Sequence, residues 1–97
     1  MTFQSVAISG ASGGIGAALA EACAAPGVTL SLAGRDGERL AGVAERCRAR
    51  GADVHTDSFD ITDPTAAKAW IDAADARRPL DLVIANAGVS SSLGPDG

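Results

Sequence analysis

Four glycines fall within eight residues in Ser9-Gly10-Ala11-Ser12-Gly13-Gly14-Ile15-Gly16, and this segment constrains the chain more than any other. It directly follows Val6-Ala7-Ile8, a short apolar run of the kind found in strands buried on both faces. After Gly14 the residues Ile15, Ala18, Leu19, Ala22 and Cys23 recur at helical spacing, and Pro26-Gly27 supplies a stop. A strand that feeds a helix through a glycine-rich turn opens a βαβ unit, which predicts a layered α/β domain.

The remainder repeats the alternation. Val28 to Ala33 predicts a second strand with its tip near Gly34, and Asp36 can cap a helix whose apolar stripe is Leu40, Val43, Ala44 and Cys47 before Gly51. Val54 to Phe59 is polar and alternating, which suits the edge of a sheet. Asp63-Pro64 opens a third helix with Ala67, Trp70, Ile71 and Ala74 on one face, ending by Pro79, and that stripe makes Trp70 a packing residue. Leu80 to Ala85 is a continuous apolar run and reads as a strand buried on both sides. Right-handed crossovers through β-α-β-α-β-α-β give a parallel sheet of order 3-2-1-4, with a ligand crevice between strands 1 and 4.

Composition narrows the function. With 97 residues there is room for one small domain, and a net charge of -4 argues against nucleic acid and acidic membrane surfaces as partners. Arg46, Arg48 and Arg50 read as a solvated helix face, and Cys23 and Cys47 as reduced, buried thiols. No signal peptide and no apolar run of about 20 residues is found, so a cytoplasmic protein is expected. His55 stands alone without a second ligand at metal spacing, so no metal site is expected.

In the glycine segment, Gly10 allows the tight turn, Gly14 lets backbone N–H groups approach a phosphate, and Gly16 lets the helix pack closely on the strand. No Gly-Lys-Ser/Thr follows, which excludes a P-loop. The spacing Gly-x-x-x-Gly-x-Gly resembles that of the short-chain dehydrogenase/reductase family. Asn86-Ala87-Gly88 after the fourth strand resembles that family's Asn-Ala-Gly motif, and Asp60-Ile61-Thr62-Asp63 its acidic motif after strand 3. The likeness runs from Val6 to about Val89. Gly10, Gly13 and Gly16 also satisfy the Gly-x-x-Gly-x-x-Gly of the longer, epimerase-like branch, whereas Asn86-Ala87-Gly88 favours the shorter oxidoreductase branch.

The resemblance implies a Rossmann-type three-layer fold that binds a nicotinamide dinucleotide. Ser12, Gly13, Gly14 and Ile15 would surround the pyrophosphate, Asp60 and Ile61 would meet the adenine, and Asn86, Ala87 and Gly88 would flank the adenosine ribose. Asp60 could instead cap the helix that follows, and Asn86 could bridge strands, alone or along with a ligand role. Gly34 stands where NAD enzymes of the family carry an acid, Asp36 is better placed as a cap, and Arg35 would pair with a ribose 2'-phosphate. NADP is therefore expected in preference to NAD.

The family's chemistry uses a Tyr, a Lys and a Ser. This sequence holds no tyrosine, its one lysine is Lys68 in the third helix, and Ser90, Ser91 and Ser92 come too early for the catalytic serine. No catalytic residue is assigned. The apolar run Leu82, Val83 and Ile84 is left on an open sheet edge, and Gly94-Pro95-Asp96-Gly97 reads as a turn in passing. Residues 1–97 are thus expected to be a partial NAD(P)-binding domain, truncated after the fourth strand and lacking the catalytic half. The whole protein is expected to be an NADP-dependent oxidoreductase acting on a carbonyl or alcohol as a homodimer or homotetramer. The alternative is a non-catalytic NAD(P)-binding sensor or a module completed by a partner.

Overall fold

The computed structural model describes residues 3–86, and within them the elements follow the predicted order. They are β1 (Ser5–Ser9), α1 (Gly14–Cys23), β2 (Thr29–Gly34), α2 (Gly37–Ala49), β3 (Asp53–Ser58), α3 (Pro64–Arg77) and β4 (Leu82–Ala85). All strands are parallel in the order β3-β2-β1-β4, as expected. Two successive crossovers in one direction set α1 and α2 on one face of the sheet, and the reversal into β4 sets α3 on the other.

Register sorts the side chains. Val6 lies between Leu30 and Leu82, and Ile8 between Leu32 and Ile84, so one face is a continuous aliphatic surface. Together with Val54 it packs against Ala17 and Ala20 of α1 and Leu40, Val43, Ala44 and Cys47 of α2. The alternate positions, Ser5, Ala7 and Ser9 of β1 and Thr29, Ser31 and Ala33 of β2, form the opposite face. There Ala7, Ala33 and Trp70 make a small cluster with Phe59, Ile61, Ile71 and Leu80 at its margin.

Of the polar residues of this second face, Ser9 donates to the Ile84 carbonyl of β4 (3.5 Å), and the others find partners on α3 and its C-terminus. Arg77 Nη1 donates to Ser31 Oγ (3.1 Å), Arg78 Nη1 donates to Thr29 Oγ1 (3.1 Å), and Ser5 Oγ donates to the Arg78 carbonyl (3.0 Å). Buried hydroxyls paired in this way avoid the cost of desolvation without a partner. Trp70 is the exception: its Nε1 is buried with no hydrogen-bond partner among the described residues. It packs as expected, tilted against Phe59 with ring centroids 6.0 Å apart.

Helix α2 matches its reading: Asp36 caps it by accepting from the Arg39 backbone N–H, and its expected stripe is the buried one. Helix α1 does not. Ile15, Ala18, Leu19, Ala22 and Cys23 were the expected inward face, yet Gly16, Ala17 and Ala20 are buried and Ile15 is 67% exposed. The helix is turned by the close approach of Gly16 to the Gly10 carbonyl, where a Cβ would overlap the oxygen. Cys23 is consequently half-buried rather than buried, while Cys47 is buried; both are free, and burial raises both thiols above their ordinary value.

Two further expectations are corrected. The apolar run from Leu80 pairs only from Leu82, and β4 alternates half-buried with exposed residues, Val83 being 49% exposed. Its one neighbour among the described residues is β1, so nothing there covers its outer flank. The arginines of α2 are exposed, but not merely solvated: Arg46 Nε donates to Glu21 Oε2 of α1 (3.0 Å) and Arg48 Nη2 to the Val54 carbonyl (2.8 Å). Among the described residues no helix is long and apolar enough to cross a membrane.

Candidate functional site

Parallel strands place their C-terminal ends on one edge of the sheet, and the loops that leave β1, β2 and β3 meet there with Asn86, the residue after β4. The glycine segment leaves β1 and is tied at both flanks. Ala11, fully buried, donates its N–H to the Ala33 carbonyl (3.0 Å), while Asn86 Nδ2, just past β4, reaches the Gly10 carbonyl (3.4 Å). Asn86 is thus the bridge that one of its two readings anticipated. Ala87 and Gly88 lie outside the described residues.

Gly14 is the first residue of α1, with φ of 58°, and a Cβ there would meet nothing within 4 Å. The backbone is left-handed beside open space, a combination that keeps N–H groups accessible. The N-cap of α1 is Gly13, which offers no side-chain acceptor to the first turn, whereas Asp36 and Asp63 cap α2 and α3 with their carboxylates. Among the described residues the first-turn N–H groups of α1, at the positive end of the helix dipole, are thus left without a side-chain cap.

At the tip of β2, Gly34 packs on Ser12: a Cβ at 34 would stand 3.1 Å from both Ser12 Cβ and Oγ. Arg35 leaves this tip toward the loop after β3, where its Nη2 donates to Asp60 Oδ1 at 2.9 Å. The same oxygen accepts from the Thr62 hydroxyl (2.6 Å) and the Thr62 backbone N–H (3.0 Å). Those Thr62 bonds, with the Arg35 guanidinium, hold the Asp60 carboxyl down at about 2. Asp60 does not cap α3. Asp63 does, accepting from the Thr65 and Ala66 N–H groups, so the capping alternative for Asp60 is excluded. Ile61 is half-buried and packs against the Trp70 cluster.

The expected positions Gly10, Ser12, Gly13, Gly14, Ile15, Gly16, Arg35, Asp60, Ile61 and Asn86 are accordingly gathered along one edge. One neighbour was not foreseen. Arg39, in the first turn of α2, extends its guanidinium over the glycine segment, with Nη1 3.7 Å from where a Cβ of Gly13 would stand. Its Nε lies 3.6 Å from Asp36 Oδ2. The signal in the sequence was only an arginine one turn after a strand tip, which is common on solvated helix starts.

Residues 4–96 match the model of the short chain dehydrogenase family. The chain is similar to 1-deoxy-11-beta-hydroxypentalenate dehydrogenase of Streptomyces avermitilis, 39% identical over 88 residues that cover 90% of this chain and 33% of the relative. It is also similar to the structure of a 3-oxoacyl (acyl-carrier-protein) reductase from Agrobacterium tumefaciens solved with NADP bound. That likeness has a TM-score of 0.75 at 31% identity, over 96% of this chain and 38% of the other. L-sorbose reductase of Gluconobacter frateurii, complexed with NADPH and L-sorbose, gives 0.74 at 26% identity over 86% of this chain and 32% of the other. The chain spans about a third of the length of these relatives.

Proposed function

The chain belongs to the short chain dehydrogenase family, and from that premise we propose that it is the cofactor-binding part of an NADP-dependent oxidoreductase acting on a carbonyl or alcohol. The observation that carries this reading is the start of α1 at Gly14, without a side-chain cap, set beside a strand tip with glycine at 34, Arg35 next to it and Asp36 engaged as the cap of α2. An anion seated there meets backbone N–H groups and the helix dipole. The NADP and NADPH of the two related structures support the choice of cofactor.

In this reading Ser12, Gly13, Gly14 and Ile15 enclose the pyrophosphate, and Gly10 and Gly16 keep the turn tight beneath it. Asp60 and Ile61 border the adenine, and Asn86, Ala87 and Gly88 the adenosine ribose. Arg35 takes the 2'-phosphate. A bound cofactor would carry the hydride, to a carbonyl or from an alcohol, and this chain's residues would hold its adenosine and pyrophosphate parts. The sequence has no tyrosine and a single lysine, Lys68, on the exposed side of α3, so the Tyr and Lys that the family's chemistry uses are not supplied by residues 1–97. Two free thiols suit a reducing cytoplasm, and the family likeness suits a homodimer or homotetramer.

Titration of the full-length protein with NADPH and NADH tests the proposal. Arg35→Ala is expected to weaken NADPH roughly ten- to hundred-fold, the worth of a lost charge-assisted bond, and to leave NADH unchanged. Unaltered NADPH affinity refutes the cofactor assignment. Oxidation of NADPH by a panel of aldehydes and ketones separates enzyme from binding module.

A further inference from the structure

At the edge of the sheet opposite the glycine segment, the connection from α3 to β4 is tied to the opening residues of β1 and β2. Asp81 Oδ2 accepts from the Gln4 N–H (2.7 Å) and the Ser5 N–H (3.0 Å), and the Asp81 N–H donates to the Ser5 carbonyl (2.8 Å). One carboxylate oxygen takes two successive N–H groups of the neighbouring chain, which it can do only with Asp81 beside Ser5. Arg78, three residues earlier, adds bonds from Nη1 to the Gly27 carbonyl (2.8 Å) and from Nη2 to Gln4 Oε1 (3.0 Å).

Strand β4 has little else to fix its register. Leu82 and Ile84 pack against the aliphatic cluster, while Val83 and Ala85 are exposed. Sliding β4 by one residue exchanges one apolar pair for another, so burial specifies its pairing weakly. The register nevertheless matters at the far end of the strand. Asn86 Nδ2 reaches the Gly10 carbonyl there (3.4 Å) and lies 3.0 Å from where a Cβ of Gly16 would stand, over the contact that seats α1 on the glycine turn.

We infer that Asp81 is a positioning residue for the proposed cofactor site: its carboxylate sets β4 in register on β1, and β4 in turn holds Asn86 on the Gly10 carbonyl. The inference rests on the dinucleotide reading above and deepens it with a residue at the opposite edge of the sheet. Asp81 acts through Asn86, so its influence on the cofactor disappears when Asn86 is absent.

A double-mutant cycle in the full-length protein, read by NADPH titration, tests this. Asp81→Ala is expected to weaken NADPH roughly fivefold, and Asp81→Asn, which keeps a side-chain oxygen for the two N–H groups, by less than about twofold. In the Asn86→Ala background, Asp81→Ala is expected to cause no further weakening. A merely structural Asp81 gives a different pattern: a lowered Tm with NADPH affinity unchanged in the folded variant, or the same weakening with and without Asn86. Either result overturns the inference. If Asp81→Ala does not fold, Asp81→Ser takes its place in the cycle. Wild-type protein that binds neither NADPH nor NADH refutes the cofactor reading and this inference with it, whereas wild-type binding with an unresponsive Asp81 variant overturns the positioning role alone.

Discussion

The two faces of the sheet are built on different terms. Beneath α1 and α2, Val6, Ile8, Leu30 and Leu32 are fully buried, and stability there comes from large aliphatic side chains leaving water. Beneath α3 the same two strands present Ser5, Ala7, Ser9, Thr29, Ser31 and Ala33, equally removed from solvent but small or polar. That face is held by one tryptophan and by hydrogen bonds from the end of α3. Burial of a strand thus says little about what buries it. One side of β1 and β2 is stabilised by area, the other by close approach and polar matching.

Truncation on the aliphatic side breaks the comparison most severely. Leu32→Ala is expected to cost about 2 to 5 kcal/mol in urea denaturation, as buried leucine truncations do. A loss under about 1 kcal/mol there would mean that the face carries no such load. Enlargement probes the other side. Ala7→Val pushes extra methyl groups toward Trp70 and is expected to cost about 1 to 3 kcal/mol, whereas a neutral result would show slack beneath α3.

The smallest effect belongs to the loop after β3, at the rim of both faces. The Asp60 carboxyl is held at about 2, below its ordinary 3.8, because Thr62 and Arg35 bond the charged form. A group lowered in the folded state contributes stability that is full above about 3.8 and is lost as pH falls through about 2. Asp60→Asn is therefore expected to flatten the stability profile across that window and to lower stability at neutral pH by the same small amount, since exposed pairs count for little. An unchanged profile between pH 4 and 2 in the variant would show that the Asp60 bonds do not persist in solution.

How far the sequence revealed all this varied with contrast between neighbouring residues. Helix α2 was legible because Leu40, Val43, Ala44 and Cys47 stand among arginines and glutamates, and its cap Asp36 has a single geometric use. Helix α1 was misread because alanine occurs at 17, 18, 20 and 22, so hydrophobicity barely varies around its axis. What orients it is steric: only Gly16 can lie on the Gly10 carbonyl. The strand order followed from alternation and crossover handedness, yet the exposure of β4 depends on what flanks it, which its own apolar run does not encode. The glycine segment was visible as a site because its position between strand and helix is local. The Arg35–Asp60 pair, 25 residues apart, and the reach of Arg39 over Gly13 depend on how three loops meet at the edge.

The contact between Ser12 and Gly34 couples two positions that sit in different loops and have separate uses. A carboxylate added at 34, where it would serve a bare ribose, first meets the Ser12 side chain, which must give by a few tenths of an ångström. Descendants of this sequence that exchange one dinucleotide for the other should record the change as a correlated pair at 12 and 34. The order in which the two substitutions accumulate is then a matter of history: shortening residue 12 opens the way, and an acid arriving first must wait for it under strain.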